Sequence, residues 1–205
     1  MVGTMSIIVI GAHGKVARHA LPLLAKMSDK LRGVIRNPDH AAEVEKLGAT
    51  PVVEDVTKLD DEAWQRLLEG AHTVVWSAGA GGGDPERTYA VDRDAAIASI
   101  DNCPDSAHYI MVSYWGASRG DEIDENDSFY PYAISKKTAD EHLRSTKLKH
   151  TILKPSMLTD NEAGDIRTGS EDETEPGSTS REAVALMIAR HTAEGPAGDF
   201  CFVDD

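Results

Sequence analysis

The feature that most constrains this chain is the alternation of short, continuously apolar runs with longer stretches of helical spacing. The runs begin with SIIVIG, Ser6 to Gly11, and continue through LRGVIR, PVVEDV, HTVVWSAG, AHYIMVS, HTILKP and DFCFVDD, most of them rich in Val and Ile. Helical candidates lie between them: Lys15 to Ser28, Asp39 to Leu47, Asp60 to Glu69, Pro85 to Asn102, Tyr132 to Ser145 and Arg181 to His191. A strand with one wet face alternates apolar and polar residues, whereas these runs are apolar throughout, as strands buried on both faces are. A helix between successive runs supplies the right-handed crossover that parallel strands require. The expected class is α/β: a doubly wound, mostly parallel sheet with helices on both faces.

A chain of 205 residues has material for one well-buried core, so 1–205 reads as a single domain. Two places fit the pattern less well. Pro22 falls inside the first helical candidate, where it removes a backbone donor and should bend or shorten the helix. Thr159 to Ser180 is acidic, rich in Gly and Ser and poor in apolar residues; it reads as a loop or lid with at most one short strand, and 155–180 as a small substrate-side region.

The formal net charge of -14 argues against nucleic acid or an anionic membrane as partner, since an acidic surface repels both. No run is long enough to span a bilayer, and MVGTMSIIVIGAHG lacks the basic start and cleavage site of a leader, so a cytoplasmic protein is expected, as monomer or homodimer. Cys103 and Cys201 are too few for a disulfide framework, and no Cys/His cluster has metal-ligand spacing. On so acidic a chain the position of each cation is informative.

Directly after the first run comes GAHGKVA, with Gly11, Gly14 and then Ala17. Between a buried strand and a helix, such glycines let the backbone turn tightly against a pyrophosphate, whose charge is met by N–H groups at the helix N-terminus. The second run ends in Arg36, not in the acidic residue that would take a ribose 2′-hydroxyl. A guanidinium there suits a 2′-phosphate, which favours NADP(H) over NAD; the alternative is an exposed arginine beside a turn.

Further along, Tyr132 is followed by Lys136 in FYPYAISKKTADEH. Four residues is close to one helical turn, so the ammonium and the phenol share a face, which is compatible with an acid/base site or with the first turn of a surface helix. A phenol titrates near ~10 and needs a nearby cation to act as acid or base around neutrality.

Taken in order, these segments resemble the short-chain dehydrogenase/reductase superfamily, and within it the atypical single-domain, Rossmann-like members often labelled NAD(P)-dependent epimerases or NAD(P)-binding proteins. The resemblance covers nearly the whole chain: IVIGAHGKVA as the cofactor turn, GVIRNP as the second-strand end, VEDVT beside adenine, VVWSAGAGG as the fourth-strand end, HYIMVSYWGAS as the strand with the active-site serine, YAISK as the Tyr-x-x-x-Lys motif, and ILKPSMLTD as the segment bordering the nicotinamide. It implies a cofactor site of Gly11, His13, Gly14, Lys15, Val16, Arg36, Asp55, Val56, Ser77, Ala78 and Gly79, with Lys136 and Pro155 at the nicotinamide end. It makes Ser113 the carbonyl-side hydroxyl, Tyr132 the general acid/base and Lys136 the group that lowers the tyrosine pKa.

Two departures stand out. In YAVDRDA, Asp92 occupies a position where many superfamily members carry asparagine, and its charge would partly cancel that of Lys136. Ser113 is followed by Tyr114 and Trp115 where small residues are usual. Three functions remain open: an NADP(H)-dependent oxidoreductase or epimerase acting on a small carbonyl or hydroxyl compound, an NADP(H)-binding redox sensor without turnover, and a flavin or quinone reductase with Trp115 or Trp76 as a wall and no acid/base residue.

Overall fold

The computed structural model describes residues 5–193 and 195–204; residues 1–4 of the stretch read for a leader, and residue 205 at the end of the last run, lie outside the described residues. The elements in order are β1 (Ser6–Ile10), α1 (Lys15–Ala25), β2 (Lys30–Ile35), α2 (Ala41–Lys46), β3 (Thr50–Val53), α3 (Asp61–Leu68), β4 (Thr73–Trp76) and α4 (Pro85–Thr88). A π-helical segment (Tyr89–Ala95) follows, then α5 (Ala96–Asp101), β5 (His108–Val112), α6 (Tyr130–Ser145), β6 (Lys149–Pro155), β7 (Met157–Thr159), β8 (Arg167–Gly169), β9 (Ser178–Ser180), α7 (Arg181–Ala193) and β10 (Gly198–Val203).

Eight strands form one sheet in the order β3-β2-β1-β4-β5-β6-β10-β8, and β7 pairs with β9 apart from it. Every neighbour pair of the large sheet is parallel except β8 against β10. All five residues of β1 are buried, as a strand covered on both faces requires. Ile7 and Val9 pack with α1 and α7 on one face, while Ile8 and Ile10 join the cluster of α3, α5 and α6 on the other. The expected doubly wound α/β fold is the fold observed.

The misfits have local causes. Helix α1 runs through Pro22 and stops at Ala25, short of the predicted Ser28. Proline leaves the carbonyl four residues earlier, that of Arg18, without its helical partner; Arg18 lies on the exposed side of the helix. The segment read as a loop with at most one strand holds two, β8 and β9. Their partners are β10, outside it, and β7, which reaches only its first residue, so main-chain pairing supplies an order that its side chains do not announce. The stretch read as one helix from Pro85 to Asn102 is helical, but widens to π geometry in its middle.

Buried His108 on β5 lies with Nε2 2.8 Å from Thr151 Oγ1 on β6. Burial first, then the charges of Lys149, His191 and His150, push its pKa down to about 4. An unfolded chain binds this proton near ~6.5, so the His108 contribution is complete above that pH and is lost as pH falls towards the folded value. Buried Asp140, raised to about 6, works in the opposite direction over an overlapping range, so a mutant must be compared with wild type at each pH. His108→Gln should destabilise the protein at pH 7, and the gap should narrow by roughly 3 kcal/mol on going to pH 4. Urea denaturation at several pH values measures this; a constant gap would mean that His108 is not held neutral.

Candidate functional site

The strand order reverses between β1 and β4, which opens a crevice at the carboxyl ends of these strands, the usual ligand position in such sheets. A cavity of about 500 Å³ occupies it. Its walls are Gly11, His13 and Gly14 after β1; Arg36, Asn37 and His40 after β2; Glu54, Asp55, Val56 and Thr57 after β3; Ser77, Ala78 and Gly79 after β4; and Arg87, Ala90 and Val91 from the helix beyond.

The turn after β1 is built on close approach. Gly11 has φ +84°, and a Cβ there would lie 2.6 Å from Ala78 Cα, so this position excludes any side chain. Gly14 has ordinary backbone angles and caps α1, and a Cβ there would meet only Gly11 O at 3.1 Å and Ser77 O at 3.5 Å. No side chain caps α1 and its first turn carries no acidic residue, which leaves its leading N–H groups to an external anion. The residues therefore fit a dinucleotide pyrophosphate.

Arg36 and Arg87 are exposed on the cavity wall, and among the described residues neither side chain forms an ion pair. His13 stacks on His40 with ring centroids 3.5 Å apart, and its Nε2 lies 2.8 Å from Glu43 Oε2. Glu43 also accepts from Arg18 at 3.2 Å; hydrogen bonds from His13 and then Arg18 hold its carboxyl below the usual range. Asp55 turns onto its own loop, accepting from Thr57 Oγ1 at 2.8 Å. Four predicted cofactor residues are not on this wall, Lys136 on α6 among them. The side chain of Val16 belongs to the core, Lys15 reaches out to 3.9 Å from Asp160, and Pro155 is buried in β6 with its carbonyl accepting from Trp115 N at 2.8 Å.

A second group of residues gathers on α6, where Tyr132, Lys136 and Asp140 fall on successive turns of one face. Buried Lys136 donates from Nζ to Val112 O at 3.1 Å and lies 3.3 Å from Asp92 Oδ1. Asp92 belongs to the π-helical segment, and its Oδ2 accepts from Ala80 N at 2.9 Å. The Lys136 ammonium is 5.8 Å from the centroid of the Tyr132 ring, which packs 5.3 Å from Tyr114 and 5.4 Å from Phe129. Ser113, at the end of β5, donates from Oγ to Asp140 Oδ2 at 2.6 Å. Ser113, Tyr132, Lys136 and Asp92 are thus brought to one region, and Asp140, which sequence reading passed over, belongs with them.

The protonation states differ from those expected. Burial pushes the Tyr132 phenol above its ordinary pKa; Lys136 opposes this, while Asp92 and Asp140 add to it. Lys136 thus acts on the tyrosine in the expected direction, but burial outweighs it and the net shift in the ligand-free protein is upward. Burial disfavours the Lys136 charge, but Asp92, Tyr132 and Asp140 together outweigh it and the ammonium is held protonated. Asp140 is pushed up to about 6, by burial first, against the hydrogen bond from Ser113 and the charges of Lys136, Arg144 and Lys154.

Of the two tryptophans considered as a wall, Trp76 is fully buried in the core beside Trp64 and faces no cleft. Trp115 carries the Arg119 guanidinium over its ring at 5.1 Å. The acidic segment after β7 is tied down: buried Lys154 lies 2.8 Å from Glu171 Oε1 and 3.2 Å from Asp199 Oδ2, and Ser118 also donates to Glu171.

Gly14 is the cleaner probe of the cofactor turn, since a Cβ there needs a shift of only a few tenths of an ångström, whereas a residue at position 11 would strain the turn itself. Gly14→Asp should abolish NADPH binding by calorimetry with an unchanged far-UV circular dichroism spectrum, because its carboxylate would lie where the phosphate charge belongs. Unaltered affinity in the folded mutant would remove this turn from the site.

Comparison with known proteins agrees with this geometry. YhfK of Bacillus subtilis, named as an uncharacterized sugar epimerase, is 28% identical over 188 residues, 90% of this chain and 86% of YhfK. A solved structure described as an NAD-dependent epimerase/dehydratase, from Bacillus halodurans, superposes with a TM-score of 0.84 at 27% identity, covering 98% of this chain and 94% of that one. ChuY of Escherichia coli O157:H7, described as an anaerobilin reductase, shares the fold with a TM-score of 0.74 at 20% identity, covering 98% and 97% of the two chains. Residues 11–194 match the family described as NAD(P)H-binding, and the chain belongs to that family.

Proposed function

We propose that this protein is an NADP(H)-dependent oxidoreductase, or an epimerase working by transient hydride removal, that acts on a small carbonyl or hydroxyl compound. The observation that carries the reading is the buried, protonated Lys136 one helical turn from Tyr132, on the far side of β4 from the dinucleotide cavity. A buried cation held by one carboxylate and one carbonyl has a donor left over for a ribose hydroxyl, and it acts on the phenol at the same time.

In this reading Arg36 takes the 2′-phosphate, and the first turn of α1 takes the pyrophosphate. The bound cofactor supplies or accepts the hydride. Tyr132 gives its proton to the carbonyl oxygen in reduction and recovers it in oxidation. Its raised pKa keeps the proton in place around neutrality, which suits the acid role. The region 155–180, anchored through Lys154 and Glu171, borders the substrate side.

A second reading rests on the cluster of Tyr114, Phe129 and Tyr132, whose rings lie 5.3 to 5.5 Å apart. Such a surface suits a flat flavin or quinone that needs no acid/base residue. A redox sensor is the third reading, favoured by the pairing of Lys136 with Asp92, which draws the ammonium away from the phenol.

Two measurements test these readings. Arg36→Glu should weaken NADPH binding by ~2 kcal/mol or more while leaving NADH binding little changed; equal wild-type affinity for the two cofactors would overturn the choice of NADP(H). Tyr132→Phe should lower turnover by about 10²-fold or more with NADPH affinity retained. In a flavin or quinone reductase the same mutant is fully active, and in a sensor no compound is turned over by either protein.

A further inference from the structure

We propose that Asp140 is a positioning residue that fixes the hydrogen-bond polarity of Ser113: by taking the single hydrogen of that hydroxyl, it leaves Ser113 only lone pairs to offer, so that the ligand group docking there is a donor, an alcohol rather than a carbonyl. This deepens the enzyme reading above and rests on it.

A serine hydroxyl has one hydrogen and two acceptor sites. Ser113 and Asp140 are both buried, and the 2.6 Å contact has the length of a charge-assisted O–H···O⁻ bond. Among the described residues, Asp140 Oδ1 has no hydrogen-bond partner, so Ser113 is the only hydrogen-bond donor to this carboxylate. Diverting the serine hydrogen to a substrate carbonyl would strip a buried carboxylate of that donor, which is costly. The Ser113 backbone is fixed as well, its N–H donating to Leu153 O at 2.8 Å.

The reversal of this polarity has a defined trigger. Lys136 and Arg144 on α6 and Lys154 on β6 favour the charged carboxylate, while the Tyr114 and Tyr132 phenols also face it. Once Asp140 is protonated it becomes a donor itself, and the hydrogen of Ser113 is free to turn to a ligand oxygen. A carbonyl oxygen can then be held by Ser113 and Tyr132 together, whereas with Asp140 ionised it is held by Tyr132 alone. Acid should therefore favour carbonyl binding, and neutral pH alcohol binding.

The first arm of the test needs no substrate. In protein carrying ¹³C at the aspartate carboxyl carbons, with the resonance assigned by Asp140→Asn, the Asp140 signal should titrate above the ordinary aspartate range. Ser113→Ala should move the midpoint further up, because it removes a bond to the ionised form, and Ser113→Thr should restore it. A midpoint unmoved in Ser113→Ala overturns the proposal. The second arm follows kcat/KM against pH for cyclohexanol with NADP⁺ and cyclohexanone with NADPH. Wild type should show an inflection at the Asp140 midpoint in both profiles, losing alcohol oxidation and gaining ketone reduction as pH falls through it; Asp140→Asn should remove that inflection, leaving only the tenfold change per pH unit in the ratio of the two that the proton released on oxidation requires, with the KM for cofactor unchanged. An inflection at the same midpoint that persists in Asp140→Asn overturns the proposal. Absence of turnover with any compound strikes the enzyme reading instead, and the carboxyl titration still decides whether Asp140 holds the serine hydrogen.

Discussion

The site depends on one buried cation. Lys136 lies within a helix packed on the sheet, where an unpaired ammonium would be strongly disfavoured, and Asp92 is the partner that makes its charge tolerable. Removing either member of such a pair costs about 3–5 kcal/mol, because the other is left charged and buried. The pair also joins elements distant in sequence: α6 through Lys136, the π-helical segment through Asp92, the β4 exit through Ala80 N, and β5 through Val112 O. Four parts of the wall around the tyrosine are thus fixed by one ion pair and its two hydrogen bonds.

The π geometry serves that pair. A π turn inserts an extra residue into an otherwise α-helical path and so rotates the residues beyond it relative to those before it. Here the widened stretch contains Asp92, lies between α4 and α5, and presents one carboxylate to two elements, the backbone after β4 and the ammonium of α6. Val91 and Ala90 from the same stretch line the cofactor cavity. A single irregularity therefore contributes both to the dinucleotide wall and to the counter-charge of Lys136, which couples the two halves of the site through one backbone segment.

The legibility of these features in the sequence follows from their physical range. The long crossovers and buried strands write themselves into hydrophobic periodicity, and the strand–turn–helix at Gly11 to Val16 is local, so its glycines could be placed by inspection. Three-residue strands such as β8 and β9 have no period to detect, and their order comes from partners far along the chain. The π widening is invisible to a 3.6-residue repeat. Asp140 stood one turn beyond Lys136, yet its meaning lies in Ser113, 27 residues away, and only the fold brings the two together. Trp76 shows the converse error: an aromatic at a strand end near the cleft reads as a wall until burial places it in the core.

The cations explain why the cofactor is easier to read than the substrate. On this acidic chain most of the basic side chains around the site are already engaged: Lys154 with Glu171 and Asp199, Arg144 with Asp199, Arg18 with Glu43, Arg181 with Asp160 and Lys136 with Asp92. Arg36 and Arg87, on the dinucleotide cavity, have no such ion pair among the described residues. A negative surface field repels an anionic ligand at long range, so the local attraction that captures it must come from guanidinium groups not already neutralised. At the tyrosine end Lys136 and Lys154 meet carboxylates, the Arg119 guanidinium lies over Trp115 with no ion pair among the described residues, and the rings of Tyr114 and Phe129 form the wall. Under the proposed function the search for substrates therefore turns to molecules with an apolar face for those rings and a hydroxyl or carbonyl group for Tyr132, any negative group being left to Arg119 at the rim.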